Sequence, residues 1–226
     1  MEFPIVNTGR EHVDRFVNEI APLVCNEYIK RMTRGEHVIY PSTCIAQAAL
    51  ESGWNINAKT LFGIKGDGFV SDTSEYVDGK YINIQDSFKC YPNAATAIQG
   101  FYDLMQSERY RAATKAVDWV EECKEIYNCG YATDPNYSDK IINITETNNL
   151  TVFNDYCLAI LRGDVSAEET DNSGRVEELA DKLENGDYGN GRDTRAERTA
   201  QDGYTLEEYE AAQDIVNRRN KKNGSN

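Results

Sequence analysis

Hydrophobic residues recur every three or four positions along much of the first 160 residues. Between residues 11 and 34 this spacing predicts an amphipathic helix, in which Pro22 marks a kink or a break. The same pattern returns at about 93–128, and a final helix is expected near 150–161. The first part of the chain is therefore predicted to be mainly helical.

A second apolar run leads to the sequence AALESGW. It follows Tyr40-Pro41, so a helix is expected to begin with Ser42 or Thr43 as its N-cap. Gly53 is a suitable residue to end it, because helices commonly end in a left-handed glycine. This helix would carry Glu51 in its last turn.

The pattern changes at residues 61–92, where glycines are mixed with short stretches typical of strands. Asp78-Gly79 lies between two of these stretches and predicts a tight hairpin turn. The segment is expected to form a small β-lobe or a long loop rather than a core sheet.

Polar and acidic residues without aromatic side chains fill positions 163–174, which is typical of a linker. Four segments follow from this change. They are a first domain over 1–162, the linker over 163–174, a small three-helix module over 175–220 and a disordered tail over 221–226. The expected fold class is mainly α (α+β), with a helical lobe and a small β-lobe followed by a three-helix bundle.

Charge and composition exclude several classes of function. The formal net charge of the 226 residues is -14, which argues against nucleic acid as a partner, since phosphate binding needs basic clusters. No apolar run reaches the length of about 20 residues that spans a bilayer, so no membrane insertion is expected. The first residues have neither a basic nor an apolar region of a signal peptide.

Cysteine and histidine usage argues against a metal site or a Cys-His nucleophile. The chain has six cysteines without a C-x-x-C pair and only two histidines. Free buried thiols are expected, with no metal and no cofactor. A monomer is expected.

Glu51 is the candidate for acid chemistry. In the last helical turn it would lie near the negative end of the helix dipole, and Trp54 could shield it from water. Both effects would raise the pKa of the carboxyl group, which a general acid at neutral pH requires. The competing interpretation is a solvated glutamate at a helix end.

Two further features would complete a site that cleaves glycosidic bonds. Such sites normally need a second carboxylate, and Glu75 on the predicted hairpin could supply it across a cleft. Tyr131 and Tyr137 flank a turn that contains Asp134, and tyrosine rings are suitable platforms for sugars. Solvated carboxylates and tyrosines packed between lobes are the structural alternatives.

Five motifs in order resemble those of glycoside hydrolase family seventy-three, the β-N-acetylglucosaminidases that cut peptidoglycan. They are AQAALESGWN, LFGIKG, TSEY, FKCY and GYATDPNYSDKI, and the resemblance covers about residues 10–162. It implies a lysozyme-like fold. It also implies Glu51 as the general acid, Glu75 as the second carboxylate and Tyr131 as a residue needed for activity. Trp54, Phe62, Tyr137 and Asp134 are implied to line the cleft and bind substrate.

The second module is similar to a short cell-wall-binding repeat of some phage lysozymes. Its sequence contains a Gly-Asn-Gly turn, which with a nearby arginine could receive carboxylate and sugar oxygens of a wall fragment. The resemblance implies four binding residues: Tyr188, Asn190, Arg195 and Tyr204. A purely structural helical module is the alternative.

The leading functional prediction is an endolysin that cleaves the bond between N-acetylglucosamine and N-acetylmuramic acid in bacterial peptidoglycan. It would remain in the host cytoplasm until it is released to the cell wall at lysis. An N-acetylmuramidase, a lytic transglycosylase and a non-catalytic wall-binding protein are the alternatives. The sequence leaves open whether Glu75 activates water or the acetamido group of the substrate attacks, with Tyr131 assisting.

Overall fold

Two compact units make up the computed structural model, Met1–Val165 and Ser166–Asn226. Each has its own core of buried apolar side chains. The structure describes residues 2–57, 60–164, 172–189, 195, 198–200, 202–204 and 206–223.

The first unit is helical except for one hairpin. Its elements are α1 (Glu11–Thr33), α2 (Pro41–Ser52), β1 (Lys65–Val77), β2 (Lys80–Phe88), α3 (Ala94–Met105), two 3-10 turns (Glu108–Tyr110 and Ala113–Lys115), α4 (Trp119–Asn128), α5 (Tyr137–Thr147) and α6 (Thr151–Arg162). The helix predicted for 93–128 is thus two helices separated by the 3-10 turns. Pro22 lies inside α1, which runs through it as one helix.

Helix α2 forms the centre of this unit. Every residue from Pro41 to Ala49 is buried, because small and apolar side chains surround the helix on all sides. It packs against α1, α4, α5 and α6. Only its last turn leaves the core, and that turn carries Glu51.

The start of α2 differs from the prediction. Tyr40 is the N-cap and Pro41 is the first helical residue, whereas Ser42 and Thr43 were expected to cap the helix. Proline is well suited to this position because it has no N–H to leave unpaired. The buried Glu122 of α4 accepts the N–H of Tyr40 at 3.0 Å, so a carboxylate from another helix replaces the side-chain cap.

The predicted hairpin is present. Val77 pairs with Lys80, and the turn residues Asp78 and Gly79 have φ of 49° and 80°, which a two-residue type I′ turn requires. Its side chains are largely exposed, including Val70 at 59% and Tyr81 at 58%. The hairpin is therefore an arm beside the helical core, as expected, and contributes little to that core.

The second unit contains α7 (Asn172–Asn185) and α8 (Leu206–Asn223), and residues 198–200 are also helical. Its buried core consists of Leu179, Ala180, Leu183, Tyr188, Tyr204, Tyr209, Ala212 and Val216. Most of residues 190–197 lie outside the described residues, so the three-helix bundle stays a prediction.

The prediction of a mainly α fold with a small β-lobe is confirmed by these elements. No helix in the described part of the chain combines the length and the apolar character that crossing a bilayer needs.

Candidate active site

A cleft of about 480 Å³ lies in the first unit, at the end of α2. Residues from α2, the hairpin, the turn before α5 and α5 itself surround it. Those with polar groups that bear on its chemistry are Glu51, Lys65, Glu75, Arg109, Tyr131, Thr133, Asp134, Tyr137 and Lys140. The structure thus brings together Glu51, Glu75, Tyr131, Asp134 and Tyr137, as the sequence predicted.

Glu51 is held at the cleft by the way α2 ends. Gly53 adopts φ 61° and its N–H donates to the carbonyl of Ala49, which closes the helix just beyond Glu51. The hydroxyl of Tyr137 donates to Oε1 of Glu51 at 2.9 Å. The carboxyl group is therefore fixed from one side by a single strong donor.

The surroundings of Glu51 favour its protonated form. The residue is open to solvent on its cleft side, whereas protein atoms crowd the rest of the carboxyl group and exclude water from it. This loss of hydration raises the pKa of Glu51 to about 7, although the Tyr137 hydrogen bond and the Lys140 charge act in the opposite direction. A carboxyl group with this pKa can donate a proton near neutral pH.

The turn before α5 places Tyr137. Asp134 accepts the N–H of Asn136 on its side chain at 2.9 Å, and its carbonyl accepts the N–H of Tyr137 at 3.0 Å. Its carboxylate also forms an ion pair with Lys140, one helical turn into α5. Asp134 therefore organises the first turn of the helix that carries Tyr137 and Lys140.

Glu75 lies on β1 in an environment opposite to that of Glu51. The ammonium group of Lys65 lies 2.7 Å from its carboxylate, and it also contacts Asp86 at 2.8 Å. The hydrogen bond from Lys65, with a further one from Thr133, lowers the pKa of Glu75 below its ordinary value. Glu75 is thus kept ionised at the pH where Glu51 is half protonated.

Contacts with Thr133 join the hairpin to the turn before α5. The N–H of Tyr76 donates to Oγ1 of Thr133 at 2.9 Å. Because the same threonine also bonds Glu75, the position of the second carboxylate depends on this contact.

Tyr131 lines the cleft, but its hydroxyl proton is already used. It donates to the backbone carbonyl of Phe62 at 2.6 Å. Its ring packs against Phe101, Tyr110 and Tyr137 at centroid distances of about 6 Å. Tyr131 therefore braces the cleft wall, and the tyrosine in direct contact with Glu51 is Tyr137, for which the sequence had indicated only a lining role.

Two of the expected cleft residues lie elsewhere. Phe62 is 1% exposed and stacks on Phe101 at 4.1 Å, so its ring belongs to the core beneath the cleft. Trp54 packs edge-on against Phe16 at 5.6 Å and is not among the cleft residues. Trp54 was expected to line the cleft, but in the structure it packs on Phe16 of α1 instead.

Sequence reasoning missed three residues that bear on Glu51 or Glu75. Gly63 has φ 59°, and a methyl group added to it would lie 3.1 Å from Oε2 of Glu51. Gln47 donates to the Tyr137 hydroxyl at 3.0 Å, and Lys65 holds Glu75. The glycine of LFGIKG was a usable signal for close approach to another group. Gln47 and Lys65 lie within the motifs AQAALESGWN and LFGIKG, but the motifs gave neither residue a role.

In the second unit, Tyr188 and Tyr204 are each 5% exposed and belong to the core. Their hydroxyls bond Asp202 at 2.8 Å and Lys182 at 3.0 Å. Arg195 donates to the carbonyl of Gly189 at 2.6 Å. Asn190 lies outside the described residues. The two tyrosines therefore stabilise this unit from within.

Among the described residues, no group of three or more His, Cys, Asp or Glu side chains is arranged to hold a metal ion. All six cysteines are free thiols. The charged and polar groups that line the cleft are carboxyl, hydroxyl, ammonium and guanidinium groups.

Glu51 and Glu75 form a pair of carboxyl groups whose pKa values are shifted in opposite directions within one cleft. Such a pair can supply a proton donor and an ionised carboxylate at the same pH. An acid and an ionised carboxylate are the two groups that most glycosidases use to cleave a glycosidic bond.

Comparison with known proteins agrees with this chemistry. The exo-glucosaminidase LytG of Bacillus subtilis is 30% identical over 152 residues, which are 61% of this chain and 54% of that protein. A probable N-acetylmuramidase of Lactococcus lactis subsp. lactis is 28% identical over 167 residues, which are 66% of this chain and 37% of that protein. The chain thus spans about half or less of the length of these relatives.

Among solved structures, a mutant peptidoglycan hydrolase from Sphingomonas sp. A1 is similar, with a TM-score of 0.52 and 27% identity over 63% of this chain and 98% of that chain. This likeness confirms the lysozyme-like α+β fold that the motifs implied. The glucosaminidase family model, described as mannosyl-glycoprotein endo-beta-N-acetylglucosaminidase, matches residues 27–150. Since that match spans more than half of the 226 residues, the chain belongs to the glucosaminidase family.

Proposed function

We propose that the chain is a peptidoglycan hydrolase that cleaves the β-1,4 bond between N-acetylglucosamine and N-acetylmuramic acid, as an endo-β-N-acetylglucosaminidase. The observation that carries this proposal is Glu51, which has a pKa of about 7 and is held by Tyr137 in the same cleft as the ionised Glu75. Membership of the glucosaminidase family and the similarity to a peptidoglycan hydrolase support the choice of substrate.

In the proposed reaction, protonated Glu51 donates its proton to the glycosidic oxygen. The bond from that oxygen to C1 of N-acetylglucosamine breaks, and the oxygen leaves as the 4-hydroxyl of N-acetylmuramic acid. A water molecule adds to C1 and gives its proton to Glu75, which Lys65 keeps ionised until then. This route inverts the configuration at C1.

A second route breaks the same bond but uses the acetamido oxygen of the substrate as the nucleophile at C1. Water then opens the resulting oxazolinium ring, so the configuration at C1 is retained. Glu51 would again supply the proton, and Tyr131 would orient the sugar from the cleft wall. The two routes differ in their dependence on Glu75, which only the first needs as a base.

The second candidate function is an N-acetylmuramidase that acts on the other glycosidic bond of the same polymer. It is favoured by the similarity to a relative named as a probable N-acetylmuramidase. Because both bonds join the same alternating sugars, Glu51 would be the acid in either case. Only the position of the glycan in the cleft would change.

Product analysis separates these possibilities. Purified peptidoglycan is digested, the products are reduced with borohydride, and the new reducing ends are identified by mass spectrometry. Reduced N-acetylglucosamine in internal fragments supports the endo-glucosaminidase. Reduced N-acetylmuramic acid overturns it in favour of the muramidase, anhydro ends indicate a transglycosylase, and release from chain ends alone indicates an exo-enzyme.

We also propose that the second unit binds the cell wall and that the chain acts as an endolysin. The buried Tyr188 and Tyr204 would support such a site rather than contact the wall, and Arg195 is held beside the Gly186–Gly189 turn. Linking a weak wall-binding unit to a hydrolase raises its effective concentration on the polymer. The proposal predicts that an inactive full-length chain sediments with peptidoglycan and that a chain ending at residue 165 does so less.

The endolysin role has a separate test in living bacteria. The chain is expressed inside cells, and the culture is followed by turbidity before and after the membrane is permeabilised. Lysis only after permeabilisation supports a role that begins when the enzyme reaches the wall. Lysis without permeabilisation, or no lysis in either state, contradicts it.

A further inference from the structure

Gln47 is a polar side chain in the centre of the apolar core. It is 0% exposed and lies four residues before Glu51, on the same face of α2. Its neighbours Ala46 and Ala48 are also fully buried. Burying an amide costs free energy unless its hydrogen bonds are made, so the burial of Gln47 calls for an explanation.

The amide connects to Glu51 through one hydroxyl group. Nε2 of Gln47 donates to the Tyr137 hydroxyl at 3.0 Å, and that hydroxyl donates to Oε1 of Glu51 at 2.9 Å. A tyrosine hydroxyl has a single proton. Because the hydroxyl oxygen of Tyr137 accepts the hydrogen bond from Gln47, its own proton is donated to Glu51.

The direction of these two hydrogen bonds depends on the orientation of the Gln47 amide. Oε1 of Gln47 is buried without a hydrogen-bond partner among the described residues. If the amide were turned over, its oxygen would take the Tyr137 proton away from Glu51 and its nitrogen would be left unpaired. The orientation that keeps the nitrogen bonded is the one that points the hydroxyl proton at the acid.

The two oxygens of Glu51 then have different tasks. Oε1 already accepts the hydrogen bond from the Tyr137 hydroxyl, so the acidic proton of Glu51 belongs on Oε2. Oε2 is the oxygen next to Gly63, a residue that lines the cleft. The acidic proton is thus presented where a substrate oxygen can reach it.

We propose that Gln47 is a positioning residue, which directs the Tyr137 hydroxyl to Oε1 of Glu51 and so keeps the acidic proton on Oε2, facing the cleft. This inference rests on the proposed role of Glu51 as the general acid. Gln47 itself does not contact the cleft, since it is fully buried and absent from the cleft residues. Its effect is transmitted through Tyr137 alone.

The first test removes the donor while keeping the shape. Gln47→Met is expected to lower kcat about tenfold and to leave KM within about twofold of the wild type. This loss is a part of the 10²–10⁴-fold rate enhancement that general acid catalysis contributes. Because Tyr137→Phe breaks the same chain, the double variant should be no slower than Tyr137→Phe alone. The matched control is Thr145→Val, because Thr145 is also fully buried and its hydroxyl has no hydrogen-bond partner among the described residues. Its kcat is expected to equal that of the wild type.

The second test needs no substrate. The pKa of Glu51 is followed by carbon NMR of a chain labelled at its glutamate carboxyl groups, with the signal assigned by its loss in Glu51→Gln. Gln47→Met should raise the pKa, because a hydroxyl that no longer receives a hydrogen bond is a weaker donor to the carboxylate. Gln47→Glu should leave the pKa near its wild-type value, because a fully buried carboxyl group stays protonated and its O–H can replace the amide as the donor to the Tyr137 hydroxyl. The Lys140 charge is present in every variant and cancels in the comparison.

The outcomes separate the two proposals. If folded Gln47→Met keeps the wild-type pKa of Glu51 and the wild-type kcat, or if Gln47→Glu loses both as Gln47→Met does, the positioning role is wrong, whatever bond the enzyme cleaves. If the pKa moves as expected but wild-type digests contain no new reducing ends, the hydrogen-bond chain stands and the proposed reaction fails. Additive losses in the Gln47→Met/Tyr137→Phe double variant would mean that Gln47 acts only through packing.

Discussion

Replacing Gly63 by alanine tests whether the acid group works through the oxygen that faces the cleft. Gly63 follows Phe62 at the start of the β-lobe and has φ 59°, in the left-handed region. An added Cβ would lie 3.1 Å from Oε2 and 3.8 Å from Cδ of Glu51. The substitution therefore strains the backbone and crowds one specific oxygen.

The two effects have different magnitudes. A left-handed conformation costs a residue other than glycine about 1–2 kcal/mol. A loss of about 1 kcal/mol lowers Tm by roughly 2–4 °C in a unit of this size, so a fall of about 2–8 °C is expected. The contact is several tenths of an ångström too short, and misplacement of a reacting group by about 1 Å can cost 10²-fold in rate. A fall of about tenfold in kcat is therefore expected beyond the effect on stability.

Gly35→Ala is the matched control, because it reproduces the strain without the contact. Gly35 has φ 78°, and a Cβ there would have no atom within 4 Å. Both variants are compared by thermal unfolding and by the rate at which new reducing ends appear in purified peptidoglycan, well below Tm. The two variants should lose similar stability, and only Gly63→Ala should lose activity.

The reasoning is refuted if Gly63→Ala keeps kcat within twofold of Gly35→Ala while both unfold at similar temperatures. That result would mean that crowding Oε2 does not disturb the transfer of the proton. An equal loss of activity in both variants would also contradict it, because the strain alone would then explain the effect.

Three further predictions follow from the surroundings of the cleft. The rate should fall about tenfold per pH unit above about pH 7, because Glu51 has a pKa of about 7 and its ionised form has no proton to donate. A rate that still rises at pH 9 would contradict this prediction. Lys65→Met should raise the pKa of Glu75 towards its ordinary value, which moves the acidic limb of the pH–rate profile to higher pH. An acidic limb that does not move would favour the acetamido route, which does not need Glu75 as a base. Phe62→Ala should lower the free energy of unfolding by about 3–5 kcal/mol, measured with denaturant, because its ring is buried and stacks on Phe101. A loss of stability below about 1 kcal/mol, together with a raised KM, would indicate that Phe62 binds substrate in the cleft.

Short-range signals predicted the parts of the fold that depend on neighbouring residues. Gly53 ends α2 in the left-handed conformation, as its place after the apolar run indicated. Asp78-Gly79 forms the hairpin turn for the same local reason, since both residues tolerate positive φ. The N-cap of α2 was mispredicted because Glu122, 82 residues away, takes over that function.

The candidate acid Glu51 could be named from the sequence, but its environment could not. The sequence predicted a raised pKa for Glu51 and assigned it to the helix dipole and Trp54. In the structure the shielding comes from the protein around the cleft, and the bonded partner is Tyr137, which is 86 residues away in the chain. Such contacts depend on how α2 and α5 pack, which no local pattern encodes.

Glu75 likewise could be named from the sequence, whereas its surroundings could not. Glu75 was predicted on a hairpin arm beside the cleft, and the structure has it among the cleft residues. Its ionised state depends on Lys65, which lies at the base of the hairpin, and on Thr133 from the turn before α5. Both residues lie within the quoted motifs, but a lysine and a threonine are common at exposed positions, so neither was assigned a role.

The most direct measurement is the release of new reducing ends from purified peptidoglycan by the wild type and by Glu51→Gln, at pH 6. The amide keeps the shape of the acid but has no proton to donate, and it needs no costly ionisation, so the variant should remain folded with a Tm at or above that of the wild type. The predicted result is reduced N-acetylglucosamine from the wild type and a loss of about 10²-fold or more in Glu51→Gln. The same ends released at a near-wild-type rate by Glu51→Gln would show that Glu51 is not the acid.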